Sequence, residues 1–242
     1  MRRLLYIILA ASIVVVGHAY AGDDYVPEDG TPIAKGVGFQ GAIPSYLVGL
    51  KVVDRHSGDC HWYGSGSFIG SRLVLTCNHN VEDMPEDGVI RILTTTGYVY
   101  RSVRVVHQDK SVDLALLKVE DALVLYHRNI TVEDTNHTPR HVSSAGLCPK
   151  DSGYSLYGGV MGNYLAADTK DGPNVYRSSS CYLEPGMSGG PLINENLHLH
   201  GIMVWRHETN EKVPKFIRSF FVRLPFIQKF LDSYDGPFEE EG

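Results

Sequence analysis

Between Ile43 and Val222 the chain is a succession of short apolar or alternating stretches, each cut off within a few residues by glycine, asparagine or proline. Examples are Tyr46–Val53, Ser67–Ile69, Leu73–Thr76, Val89–Leu93, Val99–Val106, Leu114–Val119, Ser155–Tyr157, Leu199–Trp205 and Phe216–Val222. Many short strands with turn signals between them restrict the chain to an all-β sandwich or barrel. Gly70-Ser71-Arg72 reads as a hairpin turn between two of them. One segment departs from the rule. Phe226, Ile227, Phe230, Leu231 and Tyr234 recur at helical spacing and Pro225 suits a first turn, which predicts a helix over 225–234 bracing the second half.

The ends carry a different kind of information. Arg2 and Arg3 precede an apolar run from Leu4 to Val16, and Ala19-Tyr20-Ala21 fits a small-x-small cleavage pattern. That run falls short of the roughly 20 residues needed to span a bilayer. Residues 1–21 therefore read as an export signal, making the mature chain secreted or periplasmic, with no membrane attachment after cleavage. Removing them takes two arginines and no acids, leaving 20 basic against 28 acidic side chains, a net charge of −8. An acidic balance of this kind excludes general nucleic-acid binding. Residues 22–42 are glycine-rich and acidic and read as a flexible segment or propeptide, and 235–242 as an acidic tail.

Four cysteines, Cys60, Cys77, Cys148 and Cys181, make an even count in an exported chain, and three connectivities are possible. The local pairing of Cys60 with Cys77 and Cys148 with Cys181 keeps each bridge within one half of the chain. Closing the first loop would contribute roughly 3 kcal/mol in the chain-entropy model. No Cys-x-x-Cys or matching histidine spacing supports a zinc site. His198 and His200 share a face of a predicted strand and read as solvated rather than as metal ligands.

Three segments carry chemistry: Leu75-Thr76-Cys77-Asn78-His79, Asp113-Leu114-Ala115-Leu116-Leu117 and Pro185-Gly186-Met187-Ser188-Gly189-Gly190-Pro191. A serine hydroxyl needs a neutral imidazole to take its proton, and that imidazole needs a group to fix its tautomer. His79 is the candidate base, Asp113 the orienting acid and Ser188 the nucleophile. Glycine at 186 lets the backbone approach a substrate closely, so the amides of Gly186 and Ser188 can share one oxyanion site. The same glycines also match Gly-x-Ser-x-Gly, the elbow of α/β-hydrolases, but that fold needs an acid and then a histidine after the serine. Between Ser188 and the last histidine, His207, there is no aspartate, so the elbow reading fails.

On these segments the chain resembles the chymotrypsin-fold, trypsin-like superfamily of serine proteases. Gly64–Ile69 with Leu73–His79 resembles the stretch ending in the catalytic histidine, Asp113–Leu117 the strand after the aspartate, and Gly186–Leu192 the nucleophile signature. Gly201-Ile202-Met203-Val204-Trp205 resembles the strand lining the specificity pocket. The resemblance spans residues 43–234. It implies two six-stranded antiparallel β-barrels, about 43–130 and 140–224, followed by the helix, with the site in the cleft between them. It implies a serine endopeptidase acting on polypeptides through an acyl-enzyme, as a monomer without metal or organic cofactor.

Met187 stands where animal digestive and clotting enzymes carry an aspartate, and no Ile-Val-Gly-Gly start is present. The segment is more similar to bacterial or viral members, such as glutamyl endopeptidases and periplasmic stress proteases, than to animal zymogens. The peptide-binding domain that follows in the stress proteases is not expected after Gly242. By resemblance, the pocket floor falls at Tyr182 and Leu183, and its wall at Met203, Val204, Trp205 and Arg206. Those walls favour an apolar side chain before the cleaved bond, while Arg206 or His207 would favour an acidic one. The rival reading of the whole is a catalytically silent protease-like protein that binds a partner.

Overall fold

The computed structural model describes residues 44–122, 129–132, 139, 141–148, 153–160, 176–179, 181, 183–194, 196–208 and 217–238. The expected signal 1–21, the segment 22–42 and Tyr182 lie outside the described residues. Within them the chain is mostly β. The first group of strands is β1 (Leu47–Asp54), β2 (Cys60–Phe68), β3 (Leu73–Thr76), β4 (Gly88–Thr94), β5 (Val99–Tyr100), β6 (Val103–Asp109) and β7 (Leu114–Val119). The second is β8 (His141–Cys148), β9 (Gly153–Val160), β10 (Tyr176–Ser179), β11 (Pro191–Asn194), β12 (Leu199–Glu208) and β13 (Ile217–Arg223), followed by α1 (Leu224–Asp232).

These form two antiparallel sheets, ordered β5-β4-β1-β2-β3-β7-β6 and β10-β13-β12-β11-β8-β9. Among the described residues the second has six strands and the first has seven, against six expected in each. The extra one arises because the stretch read as Val99–Val106 breaks in the middle. There the N–H groups of Arg101 and Ser102 donate to the Asp121 carboxylate, at 3.1 and 2.8 Å, instead of to a neighbouring strand.

β7 shows why these short segments hold. Leu114, Ala115, Leu116 and Leu117 are all fully buried, so both faces of the strand are covered. Each leucine so buried contributes about 1.5–3 kcal/mol. The main core joins Val48, Leu50, Phe68, Leu75 and Leu116 of the first sheet to Ile202 and Val222 of the second. A smaller cluster of Val142, Cys181, Leu183, Met187, Leu192, Met203 and Phe221 lies within the second half.

Helix α1 starts with Pro225 in its first turn and buries Leu224, Ile227, Phe230 and Leu231. It reaches further than a brace on the second half. Phe230 stacks on His107 of β6, ring centroids 4.6 Å apart, and His107 Nε2 pairs with the Ser233 hydroxyl at 2.9 Å. The helix therefore ties both sheets. No helix among the described residues is long and apolar enough to cross a membrane.

The expected disulfides are absent, and strand register explains it. Cys60, Cys77 and Cys181 are free thiols. β2 and β3 pair with Ser67 opposite Leu75, which carries Cys77 toward Ser65 and leaves Cys60 five residues further along the strand. At about 3.4 Å per residue that is roughly 17 Å, far beyond the roughly 4.4–6.8 Å between Cα atoms that a bridge requires. Cys181 Sγ lies against the Val142 carbonyl at 3.6 Å, near one end of β8, whereas Cys148 stands at the other end. Neither Cys60–Cys77 nor Cys148–Cys181 forms.

Candidate active site

β3 and β7 are neighbours, paired Thr76 to Ala115, and their ladder runs one step past both strands. There the Asn78 N–H donates to the Asp113 carbonyl at 3.1 Å. Register alone thus brings Asn78, two residues beyond β3, next to Asp113, the residue just before β7. A 3₁₀ turn over Asn78–Asn80 then presents the imidazole of His79.

Asp113 answers with both carboxylate oxygens. Oδ1 accepts the His79 backbone N–H and Oδ2 meets Nδ1, each at 2.8 Å. The backbone of Asp113 has φ 56°, in the left-handed region. A non-glycine residue held there costs of order 1–3 kcal/mol and is kept only where its surroundings over-determine it. Two bonds to one histidine supply that constraint. With Nδ1 donating to Asp113, Nε2 of the neutral ring is left as an acceptor. The His79 side chain is 39% exposed and that of Asp113 16%, so the pair is shielded behind and open in front.

Beneath the pair lies a group that sequence reasoning assigned to a disulfide. Cys77 is fully buried, and its Sγ donates to the Met203 carbonyl at 3.2 Å. Donor atoms of Cys77, His79 and Asp113 lie within 4.8 Å of one another. Burial, and then the charge of Asp113, push the Cys77 thiol well above its usual range. It therefore stays protonated and acts as a donor beside the carboxylate that holds Nδ1.

Ser188 comes from the second half, on a loop stitched to the first. Its carbonyl accepts the Ser65 N–H at 2.8 Å and Asn80 Nδ2 at 2.9 Å. Asn80 is the residue after His79, so the imidazole and the Ser188 backbone are fastened to the same short turn. Gly189, at φ 85°, fits beneath: a Cβ there would overlap the Ser65 carbonyl and the Thr76 hydroxyl. The Ser188 hydroxyl donates to the Val204 carbonyl at 2.8 Å rather than to the imidazole. That carbonyl is available because β12 and β13 shift register between Met203 and Trp205, leaving Val204 as a bulge.

Before the serine, Glu184-Pro185-Gly186-Met187 closes with Met187 N–H on the Glu184 carbonyl at 3.0 Å. Proline second, and glycine third at φ 92°, is the signature of a type II turn. Among the described residues, the N–H groups of Gly186 and Ser188 have no protein acceptor.

Of the expected pocket residues, Leu183 and Met203 belong to the second buried cluster and Val204 is buried in the main core. Trp205 and Arg206 continue along β12. His200 is buried, its ring centroid 6.5 Å from that of Phe221. Sequence reasoning missed Ser65, Asn80 and the role of Cys77. The polar residues of Gly64-Ser65-Gly66-Ser67 inside an otherwise apolar strand were the available signal.

The sequence profile of the trypsin-like peptidase domain matches residues 64–202. No curated protein sequence matches the chain. Among solved structures, the serine endoprotease from Yersinia pestis shares the fold with a TM-score of 0.62 at 21% identity. The alignment covers 78% of this chain and 62% of that one, so the chain spans under two thirds of that protein's length.

Proposed function

This chain belongs to the trypsin-like peptidase domain family, and from that premise we propose that it is a serine endopeptidase whose triad is His79, Asp113 and Ser188. The observation that carries the proposal is the doubly bonded Asp113–His79 pair on the same turn that anchors the Ser188 carbonyl. In the reaction the Ser188 hydroxyl turns from the Val204 carbonyl toward Nε2 of His79, gives up its proton and attacks the substrate carbonyl carbon. Asp113 stabilises the imidazolium that forms. The Gly186 and Ser188 amides stabilise the oxyanion, the step at which such donors matter most. Collapse breaks the C–N bond, and His79 returns the proton to the leaving amine. Water, activated by the same imidazole, then releases the acyl group from Ser188.

These steps use the chain's own groups on a polypeptide substrate. Export to a secreted or periplasmic location rests on Arg2, Arg3 and the apolar run Leu4–Val16. The preferred side chain before the cleaved bond, apolar or acidic, is set along β12 from Met203 to Arg206.

One observation favours the rival reading of a silent binding scaffold: the Ser188 hydroxyl is held by Val204 and not by His79. In substrate-free enzymes the catalytic hydrogen bonds are often unformed and tighten when substrate binds. Incubation of the purified protein with a fluorophosphonate separates the two. A peptidase labels at Ser188, and Ser188→Ala abolishes the label. An unlabelled wild-type protein that is folded by circular dichroism would refute the peptidase reading.

A further inference from the structure

We propose that Ser65 is a positioning residue for the oxyanion site, acting from the first sheet on a turn of the second half. This rests on the reading of Gly186 and Ser188 as the oxyanion donors. The side chain is fully buried in β2, and its hydroxyl makes two bonds. It donates to the Gly186 carbonyl at 2.8 Å and accepts the Leu147 N–H of β8 at 2.7 Å. One hydroxyl thus joins β2, β8 and the turn before the nucleophile.

The peptide units around the serine show what this bond controls. The unit between Met187 and Ser188 is fixed through the Met187 carbonyl, which accepts the Gly190 N–H at 2.9 Å. The unit between Ser188 and Gly189 is fixed at both ends, by Ser65 N–H and Asn80 on its carbonyl and by the Met203 carbonyl on its N–H at 2.7 Å. The unit between Gly186 and Met187 is held by the turn bond to Glu184 and by the Ser65 hydroxyl on its carbonyl.

Among the described residues, the unit between Pro185 and Gly186, which carries the first oxyanion donor, has no such bond and is held by its neighbours in the chain. Glycine at φ 92° crosses to negative φ without steric cost, and that crossing converts a type II turn to type I and swings the N–H away. Ser65 fixes the carbonyl end of Gly186, the frame against which its N–H is aimed, and without that bond the Gly186–Met187 unit is left to the turn bond alone and tilts the donor out of line. Ser65 touches no substrate and acts through Gly186.

The experiment compares wild type, Ser65→Ala and Ser65→Cys, which keeps the shape with a weaker donor. Each is measured for inactivation by an alkyl fluorophosphonate, for kcat and KM on a fluorescent casein-derived peptide, and for Tm. Full loss of an oxyanion donor costs about 100-fold or more. A displaced donor is expected to cost Ser65→Ala about tenfold or more in both inactivation rate and kcat, with KM within twofold and Ser65→Cys in between. A merely structural role lowers Tm while leaving the inactivation rate of the folded fraction unchanged, and that result overturns the inference. If Ser65→Ala does not fold, Ser65→Cys decides alone: inactivation within twofold of wild type overturns the inference, and a larger loss supports it. Failure of the wild-type protein to react sinks the peptidase reading itself and is thereby distinguished.

Discussion

The two halves of the site are assembled by different means. His79 and Asp113 meet because β3 and β7 are paired strands of one sheet, and the pair is closed by two bonds of 2.8 Å. Ser188 arrives from the other half and is held through its backbone by Ser65 and Asn80, while its hydroxyl faces Val204. On the proposed roles, the base is preorganised at the cost of a strained aspartate, and the nucleophile keeps a rotation in reserve. Substitutions on the first half should remove proton transfer. Those on the second should remove either the attacking atom or the charge it creates.

Ser188→Ala deletes the attacking atom and should have the largest effect, a loss of turnover of about a millionfold, with fluorophosphonate labelling gone and Tm unchanged. Residual turnover within a hundredfold of wild type would show that another group does the attacking. Asp113→Asn comes next. An amide at that position donates where the carboxylate accepted, so the imidazole takes the wrong tautomer and kcat should fall about ten-thousandfold. The measurement that sharpens the comparison is KM: the second half is untouched, so KM should stay within a few fold.

Gly186→Ala attacks the second half without touching the serine. At φ 92° an alanine is strained, and the relief available is the rotation that removes the oxyanion donor. A fall of about 100- to 1,000-fold in kcat is expected, with a matching loss in affinity for a peptide boronate and little change in KM. If affinity for the boronate survives while kcat falls, the Gly186 N–H is not part of the oxyanion site.

The uneven legibility of the sequence follows the same division. Strands buried by local pattern were readable: Leu73–Thr76 and Leu114–Val119 match the structure to the residue, and the helix falls at Leu224–Asp232 against an expected 225–234. β8, β10 and β11 were not, because His141–Cys148 and Tyr176–Ser179 lack apolar alternation and Pro191–Asn194 hid behind its glycines. His79, Asp113 and Ser188 could be proposed from sequence because each sits in a local motif. The bonds that bring the halves together were not. Ser65 lies 121 residues from Gly186, and nothing local marks that bond. The disulfides failed for the same reason: cysteine count says nothing of register, and register puts Cys60 and Cys77 several residues apart along their strands.

The smallest expected effect separates the stability of the first half from its chemistry. The Tyr46 hydroxyl is buried without a hydrogen-bond partner among the described residues, and burial pushes its phenol up to about 12. An unfolded tyrosine ionises near pH 10. Because the folded value is the higher one, the stability tied to the neutral phenol is fully present below about pH 10 and is lost as pH rises from there through about 12. Tyr46→Phe removes a polar atom that burial penalises and should stabilise the fold by about 1 kcal/mol at pH 8. The main-chain bond from Phe68 N–H to the carbonyl of residue 46 survives the change, so kcat should not move. Urea melts at pH 8 and pH 11 test both halves of the statement. The phenylalanine variant should be the more stable at pH 8 and should lead by a wider margin at pH 11. A variant less stable than wild type at pH 8 would mean that the hydroxyl is satisfied in solution, and that the first sheet carries no such penalty.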